Sequence, residues 1–281
     1  MQNISELNIV FLGCGKMGEA IMAGWIDVDY DKATLNNAIS SNNISVVART
    51  RDRALYLENR YGVKCVTNLS DIEKCDVVVL AVRPQQMAQA LSEICKNHVF
   101  DDTLFISIAA GLCTDKLQSM LPANSRLVRV MPNLPLLVGS GASALCGSES
   151  SCARDIKLSK SLFSLVGTVE VVEENQMDAC TAISGSGPAY VALMIDSMAS
   201  AGVKNGLSYD VALALALQTC SGTSDMIKNL KLDPYKLECE VAVKGGSTIA
   251  AIDYMNNNSL KEIYECAISA AVEKNRELSK L

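Results

Sequence analysis

The apolar positions change period once along the chain. Short apolar runs occur at 7–12, 44–47, 63–66, 76–82, 104–108, 127–131, 142–145 and 168–172, and stretches of helical period separate several of them at 17–27, 51–61, 84–95 and 153–165. Unbroken apolar runs alternating with amphipathic segments predict strands buried on both faces of a parallel or mostly parallel sheet, with helices covering it on each side. From residue 175 no further strand run appears, and 176–183, 188–201, 210–227, 248–256 and 259–278 are helical by period and propensity. The reading is therefore two domains, an α/β domain over residues 1–173 and an all-α domain over 174–281.

The first apolar run leads straight into Gly13-Cys14-Gly15-Lys16-Met17-Gly18 and then into a helical pattern. Strand, G-x-G-x-x-G and helix in register form a dinucleotide fingerprint, which makes the α/β half Rossmann-like. Gly13 allows the strand-to-helix turn, Gly15 lets a pyrophosphate approach the backbone, and Gly18 lets the helix pack close to the strand. The phosphates then meet free N–H groups at the positive end of the helix dipole.

Which dinucleotide binds is read at the end of the second strand. The strand at 44–47 runs into Ala48-Arg49-Thr50-Arg51, with no Asp or Glu to accept hydrogen bonds from an adenosine ribose. Arg49 and Arg51 can neutralise a 2′-phosphate and the Thr50 hydroxyl can donate to it, so the pattern favours NADPH over NADH. The insertion at 29–43 makes this βαβ unit longer than usual.

Val211-Ala212-Leu213-Ala214-Leu215-Ala216-Leu217 is apolar on every side of a helix. Such a helix must be buried all round, which a five-helix domain of this size cannot easily arrange alone, so the helical half is expected to dimerise. A net charge of −6 argues against nucleic acid or an anionic membrane surface as partner. No basic leader with an apolar core and no run of membrane-spanning length occurs, which predicts a soluble cytoplasmic protein. The 11 cysteines are scattered singly without a C-x-x-C pair or a Cys/His cluster, so they read as small buried apolar residues, and no metal site is expected. His98, the sole histidine, reads as a helix-end residue rather than a catalyst.

Two segments of the helical half read as anion sites. Ser184-Gly185-Ser186-Gly187-Pro188 and Gly245-Gly246-Ser247-Thr248 each place hydroxyls and glycines before a helix, where free N–H groups can face a carboxylate. A plain helix cap accounts for either segment equally well.

At this point a family resemblance emerges. GCGKMGEAI at 13–21, AVRPQ at 81–85, SIAAG at 107–111, RVMPN at 129–133, DACTAISGSGPAYV at 178–191, AGVKNGL at 201–207, LALQTCSG at 215–222 and GGSTIAAID at 245–253 resemble pyrroline-5-carboxylate reductase, colinearly over nearly the whole chain. The SGSGPAY segment is the most specific of these.

The resemblance implies NAD(P)H-dependent reduction of the cyclic imine 1-pyrroline-5-carboxylate to L-proline. It also implies an intertwined dimer built through the helical half, in some members a pentamer of dimers, with the active site shared between chains. Carried over, Gly13, Gly15, Lys16, Met17 and Gly18 would hold the pyrophosphate, Arg49 and Thr50 the 2′-phosphate, and Asn68 the adenine-ribose side. Ala81, Val82, Arg83 and Pro84 with Ala109, Ala110 and Gly111 would line the cofactor's midsection, and Pro132 and Asn133 the nicotinamide surroundings. Gly245, Gly246, Ser247, Thr248 and Ser186 fall to the substrate, with Thr248 at the proposed proton-relay position. A protonated imine is already electrophilic, so the chemistry asks for orientation and carboxylate binding rather than a strong base or a metal. The β-hydroxyacid dehydrogenases share the N-terminal fingerprint but look for a Lys early in the second domain, and here none occurs until Lys204.

The chain departs from the family pattern in places. T-S-P-G-G-T-T is replaced by Ala242-Val243-Lys244-Gly245-Gly246-Ser247-Thr248, the usual Asn before Arg49 is Ala48, and the Thr of M-P-N-T-P is Leu134. A reductase of another imino acid, or a catalytically weak NADPH-binding regulatory paralogue, are the alternatives these changes leave open.

Overall fold

A computed structural model of the chain describes residues 4–26, 39–72, 75–94, 96, 100 and 102–279. His98, Cys95 and most of the insertion expected at 29–43 lie outside the described residues. By its internal contacts the chain forms two compact units, one of Met1–Gly185 with Val272–Leu281, the other of Ser186–Ala271. This division differs from the sequence-based boundary after residue 173: the first unit continues to Gly185 and takes back the end of the chain.

Among the described residues the first unit is built on eight strands: β1 (Ile9–Leu12), β2 (Ile44–Val47), β3 (Lys64–Val66), β4 (Val77–Leu80), β5 (Leu104–Ser107), β6 (Arg126–Met131), β7 (Gly141–Gly147) and β8 (Gly167–Val171). They lie in the order β3-β2-β1-β4-β5-β6-β7-β8. Every pairing is parallel except β6 with β7. Each residue of β1, β4 and β5 is buried, the polar Ser107 included, as strands covered on both faces require. The order of strands reverses beside β1, which pairs with β2 on one side and β4 on the other, so a crevice opens at the carboxyl ends of these strands.

Helices α1 (Lys16–Ile26), α2 (Arg51–Tyr61), α3 (Pro84–Ile94), α4 (Thr114–Gln118) and α5 (Ala153–Phe163) flank the sheet. On one face Trp25 of α1 sits between Phe11 of β1 and Phe163 of α5, with ring centroids 5.5 and 5.6 Å away. On the other, Met87, Leu91 and Ile94 of α3 pack on Val78, Leu80 and Phe105. Two cores thus clamp the sheet, and the loops at its carboxyl edge are left to carry chemistry. The sequence pattern missed α4, which is only five residues long.

After β8 the chain forms α6 (Met177–Cys180), a π-helical turn (Thr181–Gly185) and α7 (Gly187–Lys204). The segment expected to be a capped helix start at 184–188 is therefore almost continuous helix. Ser184 returns its hydroxyl to the Cys180 carbonyl at 2.9 Å, and Ser186 makes no capping bond at the start of α7.

The second unit holds α7, α8 (Tyr209–Leu230), α9 (Pro234–Val241), α10 (Ser247–Asn257) and most of α11 (Leu260–Leu278). Gly202 of α7 and Ala212 of α8 come so close that a Cβ on Gly202 would lie 2.8 Å from that of Ala212. The helix that reads as apolar all round is buried along one narrow stripe only. Ala212 and Ala216 are buried, whereas Val211, Leu215 and Leu217 are about half exposed, Leu215 at 58%. Helix α9 was not expected, although Asp233 capping Lys236 N–H at 3.0 Å with Pro234 at the first position is a start signal the sequence displays.

Candidate active site

Three glycines shape the turn between β1 and α1, each for a different reason. Gly13 has φ +76°, and a Cβ there would stand 2.7 Å from the Val82 side chain. A Cβ on Gly18 would meet that of Ala81 at 3.1 Å, so the absence of a side chain sets how closely α1 lies on the loop after β4. Gly15 is bound by neither constraint: its φ is not positive, and a Cβ there would meet nothing within 4 Å. Open space over this glycine, at the amino end of an eleven-residue helix, is the clearance a pyrophosphate needs.

The other residues expected at the cofactor follow the carboxyl ends of further parallel strands. Arg49 and Thr50 follow β2, and both are exposed. Thr50 caps α2, its hydroxyl oxygen accepting Arg53 N–H at 3.4 Å, which leaves its O–H free to donate outward. Asn68 follows β3 and is exposed, without a capping bond of its own. Ala81, Val82, Arg83 and Pro84 follow β4, with Pro84 opening α3, and Ala109, Ala110 and Gly111 follow β5. Lys16 and Met17 open α1. All these residues border one edge of the sheet.

Asn133, after β6, is committed to the fold. Its side-chain amide donates to the Ser184 carbonyl at 2.9 Å and accepts the Ala142 N–H at 2.8 Å, and the residue is buried. Nearby, the buried Arg129 forms an ion pair with Glu174, whose other oxygen accepts Thr114 N–H at 3.1 Å and the Cys146 thiol at 3.3 Å. The end of α11 approaches Gly111, where a Cβ would lie 3.6 Å from the Leu278 carbonyl oxygen, and Asn275 donates to the Asp178 carbonyl at 3.1 Å. Gln85, Gly111, Lys116, Arg129, Asp178 and Ser279 are among the residues lining a cavity of about 360 Å³ there.

Sequence reasoning missed Arg53. It lies in the first turn of α2 and donates to the Cys14 carbonyl through Nε (3.1 Å) and Nη2 (2.9 Å) while pairing with Glu19 of α1. Glu19 also accepts the hydroxyls of Tyr61 (2.8 Å) and Tyr56 (3.1 Å). Burial alone would raise the Glu19 carboxyl, but the hydrogen bonds from Arg53, Tyr61 and Tyr56 and the Arg53 charge hold it below the usual carboxylate range. The Cys14 thiol is pushed up to about 12, by burial above all, so it is no nucleophile.

In the second unit, the departures at Val243 and Lys244 fall in a tight turn before α10. Gly246 N–H donates to the Val243 carbonyl at 3.0 Å, and Gly245 takes φ +80°, as the third residue of a type II turn does. Lys244 occupies the position where Pro is favoured but not required. Gly246 caps α10 without a side chain, so Ser247 and Thr248 stand in the first turn and neither is the capping residue.

Comparison with known proteins places the chain. Residues 174–278 match the family description "Pyrroline-5-carboxylate reductase dimerisation", and residues 8–111 match "NADP oxidoreductase coenzyme F420-dependent". A pyrroline-5-carboxylate reductase from Methanosarcina acetivorans is 34% identical over 97% of this chain and 98% of its own length. The chain belongs to the pyrroline-5-carboxylate reductase family. The solved reductase structure from Coxiella burnetii superposes with a TM-score of 0.88 at 33% identity, covering 98% of this chain and 99% of that one. The Plasmodium falciparum pyrroline carboxylate reductase, solved with NADP bound, gives 0.84 at 31% identity with the same coverage. For this reductase-family chain, the glycine turn, the loops beside it and the exposed apolar face of α8 now stand within one family frame. No helix among the described residues is long and apolar enough to cross a membrane.

Proposed function

We propose that this chain reduces 1-pyrroline-5-carboxylate to L-proline with NADPH as the preferred reductant. The observation that carries the reading is the full-length family match joined to a glycine turn whose middle glycine faces open space. When bound, NADPH supplies the hydride. The amide groups at the start of α1 hold the pyrophosphate, and Arg49 and Thr50 hold the 2′-phosphate at a strand end that carries no carboxylate.

The substrate end falls to Gly245, Gly246, Ser247 and Thr248, with Ser186. A turn that leads into a helix through a glycine cap exposes N–H groups suited to a carboxylate. The Thr248 hydroxyl orients the imino acid and keeps a proton at the ring nitrogen as the C=N carbon is reduced. The intact turn at 243–246 supports this assignment even though the Val243 position has lost its hydroxyl. The protein works as a homodimer through its helical half, in a cytoplasmic setting where its single cysteines stay reduced, and assembly into a pentamer of dimers follows the family.

The test is direct: purified protein with NADPH and pyrroline-5-carboxylate, assayed for proline. Stoichiometric proline is the expected result, and cofactor oxidation without proline would remove the substrate assignment. Val243 and Leu134, both exposed and apolar where the family pattern has hydroxyls, favour a second reading, a more apolar cyclic imino acid as substrate. A panel of ring sizes in the same assay separates the two.

A further inference from the structure

The glycine turn has a support that lies outside its own motif. Cys14 is the residue between Gly13 and Gly15, and its carbonyl shares a peptide plane with the Gly15 N–H. In a trans peptide the two groups point in opposite directions, and no cis peptide occurs among the described residues. Whatever fixes the Cys14 carbonyl therefore aims the Gly15 N–H. Two nitrogens of the Arg53 guanidinium converge on that carbonyl, at 3.1 and 2.9 Å, from the opposite side of a 39-residue separation. Glu19 holds the guanidinium in turn, and two tyrosine hydroxyls hold Glu19.

We infer that Arg53 is a positioning residue for the dinucleotide: by fixing the Cys14 carbonyl it presents the Gly15 N–H to the pyrophosphate. The inference rests on the cofactor reading above. Two of the three guanidinium nitrogens are engaged by a carbonyl and a carboxylate, and Glu19 balances the charge, so the guanidinium's inferred role toward the ligand is one of geometry rather than of charge. Its rigid fork is what a lysine could not reproduce. Because α2 begins at Arg51 and is capped by Thr50, the residues proposed for the 2′-phosphate directly precede the helix that carries the brace on the pyrophosphate turn.

Direct fluorescence titration of NADPH and of NADH, with steady-state kinetics, tests this on Arg53→Met, Arg53→Lys and Glu19→Gln in the full-length protein. Arg53→Met should weaken both dinucleotides by a similar factor, roughly tenfold or more, with the loss appearing in KM for the cofactor rather than in kcat. Arg53→Lys should recover only part of the affinity, and Glu19→Gln should fall between it and the wild type. Loss confined to NADPH would make Arg53 a 2′-phosphate ligand and overturn the inference. A lower Tm with unchanged affinity would also overturn it, since that is a purely structural role. Should Arg53→Met fail to fold, the lysine and Glu19→Gln variants carry the test alone. Wild-type protein that bound neither dinucleotide would overturn the cofactor reading itself, whereas wild-type binding with unaltered variants would overturn the brace alone.

Discussion

Asn133 and Ser184 are tied by one hydrogen bond, side-chain amide to backbone carbonyl at 2.9 Å, and that bond fastens the π-helical turn to the end of β6. The Asn133 oxygen simultaneously takes the Ala142 N–H. Asn133→Ala would strand a donor and an acceptor together. It should destabilise the protein by about 2–4 kcal/mol, read as a lower urea midpoint with little change in m-value. A cost below about 0.5 kcal/mol would show that water replaces both contacts.

Arg49→Ala removes a charge-assisted contact to the proposed 2′-phosphate, worth about 1.5–3 kcal/mol. KM for NADPH should rise roughly ten- to a hundred-fold while KM for NADH changes little. The contrast with Arg53, where both cofactors should suffer, separates recognition from positioning within one strand-to-helix turn.

Thr248→Ala should lower turnover roughly tenfold or more at saturating NADPH and leave Tm nearly unchanged. The geometry sharpens this expectation. Gly246 is the cap of α10, so deleting the Thr248 hydroxyl removes no capping bond. Full turnover in the variant would mean that the proton comes with the imine or from water.

Leu215 is 58% exposed on the single chain, so Leu215→Asp should leave the helices of a protomer intact. An uncompensated charge in a dimer seam costs far more. The expected outcome is a folded protein that has lost the dimer seam, seen as unchanged far-UV circular dichroism with a mass below that of the wild-type assembly by light scattering. A wild-type protein that is monomeric at micromolar concentration would contradict the dimer.

Stability should fall at both pH extremes through one cluster. The folded Glu19 carboxyl lies below the ordinary value of about 4.3, so its contribution is present above that pH and is lost as pH falls through the folded pKa. Tyr61 moves the other way: burial first, then its bond to Glu19, push the phenol up to about 12. Its contribution is present below the ordinary value of about 10 and is lost as pH rises toward 12. Glu19→Gln should flatten the acid limb and Tyr61→Phe the alkaline limb of urea midpoint against pH.

The strands, the glycine turn and most helices were legible because each is set by its own residues: Ile9-Val10-Phe11-Leu12 needs only its apolar run, and Gly13 only its turn. What escaped was set from a distance. Nothing near Arg53 in sequence says that it reaches Cys14. The π turn at Thr181–Gly185 is held by an asparagine some fifty positions earlier, so a glycine- and serine-rich string read as an anion site or a helix cap became almost continuous helix. In α8 the period was right, and the single chain buries only part of the helix: Ala212 and Ala216 are covered, while Val211, Leu215 and Leu217 are left for the partner that an all-round apolar helix calls for.

The return of Val272–Leu281 to the first unit has a practical meaning for anyone wishing to isolate the nucleotide half. A fragment ending at residue 173 would keep the buried Arg129 and discard Glu174, its counter-charge, along with the carboxylate that receives the first amide of α4. It would also lose Asp178 and Asn275, which hold the last helix beside Gly111. The dinucleotide half is thus a discontinuous stretch of chain, with the helical half threaded into it as an insertion, and only a fragment that rejoins both ends of that insertion retains its internal partners.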